Sequence, residues 1–247
     1  MAGGPVTELA GQTALVTGGT AGIGLESARL LARHGASVII TGRSAARGAA
    51  AVADLGGRVR FVAADLSDLD SVNSLVHHCG DNVDIVVNNA ASFPGALTVE
   101  QDVASFTATF DTNVRGAYFL VAALAPGMMR RGRGSIVNVT SMVAFKGVPG
   151  ASSYSASKAA LESLTRTWAA EFGPHGVRVN SVAPGPTATE GVVAEWGDVN
   201  DELGRALPLG RTARAAEIAE AVLFLASPRS SFITGSTLHA DGGGAAA

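Results

Sequence analysis

The feature that most constrains this chain is its rhythm. Short runs rich in β-branched residues alternate with longer amphipathic stretches from one end to the other. Parallel strands need a crossover of a dozen or more residues between them, so this alternation argues for repeated strand–helix–strand units around a parallel sheet. Seven runs read as strands: Thr13–Thr17, Ser37–Thr41, Val59–Ala63, Val83–Val87, Ser135–Val139, Arg178–Val182 and Thr237–Ala240. Each is nearly continuous in apolar residues, as a strand covered on both faces must be. Between them, Ile23–His34, Ser67–Cys79 and Ser153–Phe172 have the length and spacing of crossover helices. No long polar linker interrupts the pattern, so residues 1–247 read as one α/β domain, a doubly wound sheet of seven parallel strands with helices on both faces. The exception is Pro186–Leu209, where Pro, Gly, Asp and Asn break the periodicity and the chain reads as a mobile loop.

Composition narrows the functions open to such a sheet. With 47% apolar residues, 16% charged residues and a net charge of −3, nothing here attracts a polyanion, and no nucleic-acid partner is expected. The one basic cluster, Arg130, Arg131 and Arg133, reads as the solvated end of a helix. The single cysteine, Cys79, excludes an internal disulfide. His77 and His78 beside it would point in different directions on a helix, so no metal site is expected. Met1–Gln12 lacks the charged start and apolar run of a secretory signal, and no apolar stretch reaches about 18 residues unbroken. The expected location is the cytoplasm, away from any membrane.

Two motifs carry chemistry. The first strand runs straight into Thr17-Gly18-Gly19-Thr20-Ala21-Gly22-Ile23-Gly24 and then a helical pattern. In that setting glycines let the backbone approach a pyrophosphate, while the helix offers unpaired N–H groups and the positive end of its dipole. Further on, Tyr154 and Lys158 lie four apart in a helical stretch, on one face and within reach of each other. The chain has only two tyrosines, so finding one at this spacing from a lysine is informative. An ammonium beside a phenol, joined by a cationic oxidised cofactor, is expected to pull the phenol down by about three pKa units from about 10, making it an acid–base group near neutral pH.

Together, Thr17-Gly18-x-x-x-Gly22-x-Gly24, Asn88-Asn89-Ala90-Ala91, Asn113, Ser141 and Tyr154-x-x-x-Lys158 resemble, in that order, the short-chain dehydrogenase/reductase family. The resemblance runs over nearly the whole chain, with Ala91 departing from the family's usual glycine. It implies a Rossmann-type fold and hydride transfer between a nicotinamide and a ketone or secondary alcohol. Gly18, Thr20, Gly22, Ile23 and Gly24 would hold the cofactor's phosphates. An NAD-specific member would carry a carboxylate at the end of the second strand; here stands Thr41-Gly42-Arg43, so Arg43, with Ser44, would bind a 2′-phosphate and NADP(H) is favoured over NAD(H). Asp65 and Leu66 would lie beside the adenine, Asn88, Asn89 and Ala90 along the ribose side, and Pro184, Gly185, Thr187 and Thr189 against the nicotinamide carboxamide.

The resemblance also distributes the catalytic roles. Tyr154 would be the general acid/base, assisted by Lys158, and both would also touch the cofactor. Ser141 would hold the substrate oxygen, although Thr140 beside it also has a hydroxyl. Asn113 would hold a water that links Lys158 to solvent. A catalytically silent NADP-binding regulatory or scaffold protein is the alternative, but such a protein has no physical need of the Tyr–Lys pair. The closing segment, Leu207–Arg211 and Ala219–Gly243, resembles the 3-oxoacyl-carrier-protein reductases. A 3-oxoacyl thioester is therefore the alternative substrate, with His175 where those enzymes usually carry a basic docking residue. Gly116–Met129 and Ser153–Phe172 resemble the family's subunit-contact helices and imply a homotetramer.

Overall fold

The computed structural model describes residues 7–246, so Met1–Val6 of the N-terminal stretch read above, and Ala247, lie outside the described residues. Strands β1 (Thr13–Thr17), β2 (Ser37–Gly42), β3 (Val59–Ala63), β4 (Ile85–Asn88), β5 (Gly134–Val139) and β6 (Val177–Pro184) form one sheet with a strand at Thr237–Ala240. Between and around them run α1 (Gly22–Arg33), α2 (Ala45–Leu55), α3 (Leu69–Cys79), α4 (Val103–Phe110), α5 (Ala117–Arg131) and α6 (Ser152–Phe172). Beyond β6 come β7 (Thr187–Ala188), α7 (Glu190–Trp196), α8 (Val199–Arg205), β8 (Ala213–Arg214) and α9 (Ala215–Ala226), which makes the last strand β9.

The sheet order is β3-β2-β1-β4-β5-β6-β9, and all six pairings are parallel. Strand side chains alternate between two separate cores, because successive residues point to opposite faces. Leu15, Ile39, Val86 and Ile136 join Leu75, Leu120, Val121 and Trp168 on one face. Ala14, Val16, Ile40 and Val87 join Ala28, Leu31, Val222 and Leu223 on the other. Burial on both sides is why the strands carry no polar alternation. The chain leaves the centre in one direction through β2 and β3 and returns for β4, so the order reverses between β1 and β4. A crevice opens there at the carboxyl ends of the strands, where open α/β sheets bind ligands.

The segment 186–209 is not an irregular loop. It holds β7, which pairs with β8 in parallel, and the two short helices α7 and α8. Thr189 caps α7 by accepting from Val192 N–H at 3.3 Å, and Gly197 ends it. Helices of two turns are too short to display a repeating apolar stripe.

The arginine cluster is also arranged differently from a freely solvated end. It closes the last turn of α5, but Arg130 pairs with Asp81 at 3.4 Å, and Arg131 and Arg133 converge on the buried Asp84 at 3.5 and 3.4 Å. Arg131 also donates to the main-chain carbonyls of Asp81 and Val83. Asp84 in turn accepts from Thr13 N–H at 3.1 Å, so the cluster ties α5 to the start of the sheet. Nearby, burial pushes the Cys79 thiol up to about 11, and His78 sets its Nδ1 against the Ser74 carbonyl at 2.7 Å.

Candidate active site

A cleft of about 460 Å³ occupies the crevice. One end is built from backbone. Gly18 sits at φ +63°, a conformation that favours glycine, and a Cβ there would lie 2.9 Å from Asn89 Nδ2. A Cβ at Gly24 would collide with the Gly18 carbonyl oxygen. Thr17 Oγ1 accepts from Asn89 N–H and Ala90 N–H, each at 3.0 Å, and Asn89 Nδ2 donates to the carbonyls of Thr17 and Gly18 at 2.9 and 3.2 Å. The glycine turn is thereby pinned to the end of β4. Helices α2, α3, α4 and α7 begin with side-chain caps from Ser44, Asp68, Asp102 and Thr189, whereas α1 begins at Ala21 with no side-chain cap and no acid in its first turn. Its N-terminal N–H groups and dipole are thus left for an anion at the glycine turn. Arg43, just before the α2 cap, and Arg47, in the first turn of α2, add two cations to the cleft wall.

The other end is built from side chains. Tyr154 and Lys158, on the first turns of α6, face the cleft together, with Lys158 Nζ 5.5 Å from the centre of the phenol ring. Lys158 is 2% exposed and donates to the Val139 carbonyl at 2.8 Å, and burial brings its ammonium down to about 8. The Tyr154 phenol moves the other way. Burial pushes it up to about 12 against the lowering effect of its hydrogen bond with Ser141. The expected acidification is therefore absent from the chain alone, because desolvation of the buried phenol outweighs its bond with Ser141.

Ser141 and Thr140 are distinguished by direction. Thr140 Oγ1 is buried and spent on Glu162 and the Val182 carbonyl, each at 3.1 Å, while Ser141 turns toward Tyr154.

Fourteen of the residues expected from sequence line this cleft: Gly18, Thr20, Gly22, Ile23, Arg43, Asn89, Ala90, Ser141, Tyr154, Lys158, Pro184, Gly185, Thr187 and Thr189. Others stand behind the wall. Gly24 is packed under the glycine turn, Ser44 caps α2, and Leu66 is a core residue. Asp65 closes a turn on Ser67, accepting its N–H at 2.9 Å and its O–H at 2.7 Å. Burial raises that carboxyl, but the Ser67 bonds and the Arg43 charge outweigh it and leave it below the usual range. Asn88 does not line the cleft either; its amide donates to Asn138 at 2.8 Å inside the sheet. Asn113 is 1% exposed in a π-helical turn, Asp111–Gly116, that joins α4 to α5. Its Oδ1 accepts from Ser92 N–H at 2.7 Å, and its Nδ2 donates to the Ser92 carbonyl at 2.8 Å and Ser157 Oγ at 3.0 Å. Both amide protons are used, leaving one lone pair on Oδ1.

A family model described as enoyl-(acyl carrier protein) reductase matches residues 18–244. A solved short chain dehydrogenase/reductase family protein, 64% identical, superposes with a TM-score of 0.94 over 97% of this chain and 100% of its own. The chain belongs to the short-chain dehydrogenase/reductase family. It is an oxidoreductase. Another member, the 3-oxoacyl-[acyl-carrier-protein] reductase of Chlamydia muridarum, is 36% identical across 95% of this chain and 98% of its own. A Beutenbergia cavernae protein assigned as an NAD(P)-dependent gluconate 5-dehydrogenase, with NADP bound at low occupancy, is 34% identical with a TM-score of 0.90, covering 99% and 100%. These members' names span different substrates, so membership fixes the chemistry more tightly than the substrate.

Within this short-chain dehydrogenase/reductase, the part of the cleft beside Tyr154 and α7 holds what sequence reasoning missed. Phe93, Met142, Val143, Val192, Trp196 and Leu203 line it, with Asn200 among them. Phe93 meets the Tyr154 ring edge-on at 6.0 Å, and Trp196 lies over Gly95. Helix α7 is tied across the mouth by Glu195, which accepts from Gly95 N–H at 3.1 Å, and by a solvent-exposed Arg47–Glu190 pair at 3.4 Å. Nothing in residue type or spacing marks Phe93 in the loop after β4, or Trp196 and Asn200 in two-turn helices, since single residues in such short segments look like any surface anchor. Arg47 alone had a signal, a second arginine four residues after Arg43.

Proposed function

We propose that the chain is an NADPH-dependent reductase of ketones, reversible with secondary alcohols, with Tyr154 as general acid/base. The observation that carries this is the convergence of the Tyr154 phenol, its Ser141 partner and the buried Lys158 at one end of the cleft whose other end is the uncapped start of α1. Arg43, Ser44 and Arg47 would hold the 2′-phosphate. Gly18, Thr20, Gly22 and Ile23 would hold the pyrophosphate over α1, supported from beneath by Gly24. Asp65 and Leu66 belong to the adenine end, Asn89 and Ala90 to the ribose, and Pro184, Gly185, Thr187 and Thr189 to the nicotinamide. NADPH, when bound, supplies the hydride.

The chain's own groups do the rest. Ser141 donates to the carbonyl oxygen and fixes its position, which favours the charge that develops there. Tyr154 gives that oxygen its proton. A phenol at about 12 holds its proton throughout the neutral range, which suits a general acid for reduction. Lys158 keeps a positive charge beside the phenol, and Asn113 orients the α6 turn through Ser157, with one acceptor left for a water.

Other features extend the reading. Among the described residues no helix is long and apolar enough to cross a membrane, and a cytoplasmic location fits. Val103, Phe106, Tyr118 and Phe119 expose 81, 45, 43 and 47% of their surface on α4 and α5. That apolar face suits contact with further copies of the chain in a homotetramer.

The test is to follow NADPH and NADH absorbance with a panel of ketones across pH. We expect NADPH to be preferred. We expect kcat/KM for reduction to be level below about pH 8 and to fall above it, because Lys158 is charged below its folded value of about 8 and neutral above it. Equal use of both cofactors would contradict the Arg43 assignment, and a rate rising through pH 8 would contradict the role of the ammonium.

A further inference from the structure

Resting on the hydride-transfer reading, the substrate end of the cleft says more than that a carbonyl is reduced there. Charged side chains lining the cleft are Arg43 just after β2, Arg47 in the first turn of α2, and Lys158, which is already bonded to Val139. The wall facing Tyr154 is aromatic and aliphatic, through Phe93, Val143, Val192, Trp196 and Leu203. Beside it on α7, Glu190 pairs with Arg47 and Glu195 accepts from Gly95 N–H, so α7 adds no free cation. An anionic substrate would find no counter-ion here and would lose hydration on entry.

One polar side chain interrupts this wall. Asn200, the second residue of α8, is 5% exposed and lines the cleft. Among the described residues its carboxamide makes no protein hydrogen bond, and its polar atoms are not sealed off from the cleft that it lines. The buried Asn113, Asn138 and Asn180 each bond protein groups, Asn113 with Ser92 and Ser157, Asn138 with Thr165 and Asn180 with the Ile233 carbonyl, and Asn88 donates to Asn138 while its Oδ1 has no partner. An amide on the wall of an apolar cleft loses its water when a ligand fills the cleft, and the natural replacement partner is a polar atom of that ligand.

We infer that this cleft selects an uncharged, largely apolar ketone or secondary alcohol bearing a second oxygen, and that Asn200 hydrogen-bonds that oxygen. The apolar wall supplies burial, and the amide supplies orientation. A site built to bond one oxygen discriminates against an isostere that lacks it, because its own polar group is then left unpaired.

The experiment compares three matched sets as NADPH-dependent substrates: ethyl 3-, 4- and 5-oxohexanoate, the corresponding oxohexanoate carboxylates, and 4-nonanone. Removing charge and removing the second oxygen are thereby tested separately. At least one ester should exceed its carboxylate in kcat/KM by about tenfold or more, and exceed 4-nonanone by about tenfold. Asn200→Leu should bring the preferred ester down to the level of 4-nonanone. Asn200→Ser, a smaller change that leaves α8 room to pack, should do the same, with NADPH binding measured on both variants to establish folding. Carboxylates reduced as well as esters would overturn the substrate class. An ester-to-nonanone ratio unchanged in both variants would overturn the role of Asn200. Either result leaves hydride transfer intact, whereas NADPH binding with turnover of none of these compounds, nor of any ketone in the wider panel, would overturn the reductase reading and this inference with it.

Discussion

The two ends of the cleft are built on opposite plans. The dinucleotide end is backbone: a glycine turn, the open start of α1 and Asn89 tying both to β4, mostly from residues adjacent in sequence. The substrate end is side chain, drawn from Phe93 after β4, Met142 after β5, and Trp196 and Asn200 in the two short helices beyond β6. Backbone offers the same N–H groups whatever the residue, so the first end tolerates little change in shape and recognises an invariant ligand. The second can be rewritten by substitution without disturbing the sheet.

That contrast can be broken or sharpened by substitution. The largest effect is expected from Gly24→Ala, whose added methyl must displace the Gly18 carbonyl; it should cost about 2 kcal/mol or more of stability, read as a lowered Tm, and abolish NADPH binding. Next, Arg43→Ala should weaken NADPH binding by about 10- to 100-fold and leave NADH binding within about twofold, measured by titration. Loss of both affinities alike would mean that Arg43 supports the fold rather than a 2′-phosphate. At the other end Trp196→Ala should raise ketone KM by about tenfold while the NADPH Kd holds, since the ring lies over Gly95 and away from the glycine turn. A matching loss of NADPH affinity would show that the two ends are not separable.

The same contrast explains what could be read from sequence. The central strands were legible because burial on both faces writes a nearly unbroken apolar run, as in Ile85–Val87, although the run Val83–Val87 begins two residues early, where Asp84 anchors the arginine cluster; the edge strands β3 and β9 are half-exposed and were read from their β-branched or short apolar stretches. The glycine turn and the Tyr154–Lys158 pair were legible because their geometry is local, a turn and one helical step. Helices α7 and α8 were not, since Gly191, Gly197 and Asp198 interrupt segments of only two turns. Nor was the upward shift of Tyr154, which depends on burial by Phe93 and its neighbours from distant parts of the chain. The π-helical turn at Asn113 likewise follows from packing, where its amide bridges the Ser92 backbone and α6.

Central to the account is a proton that Tyr154 delivers to a carbonyl held by Ser141. Single-turnover reduction by Tyr154→Phe, loaded with NADPH and mixed with a ketone the native protein reduces, reads that step alone. We expect NADPH to bind within about twofold of the native affinity and the hydride-transfer rate to fall by at least about 1000-fold. Reduction at a rate close to that of the native protein, with the cofactor bound, would contradict the assignment.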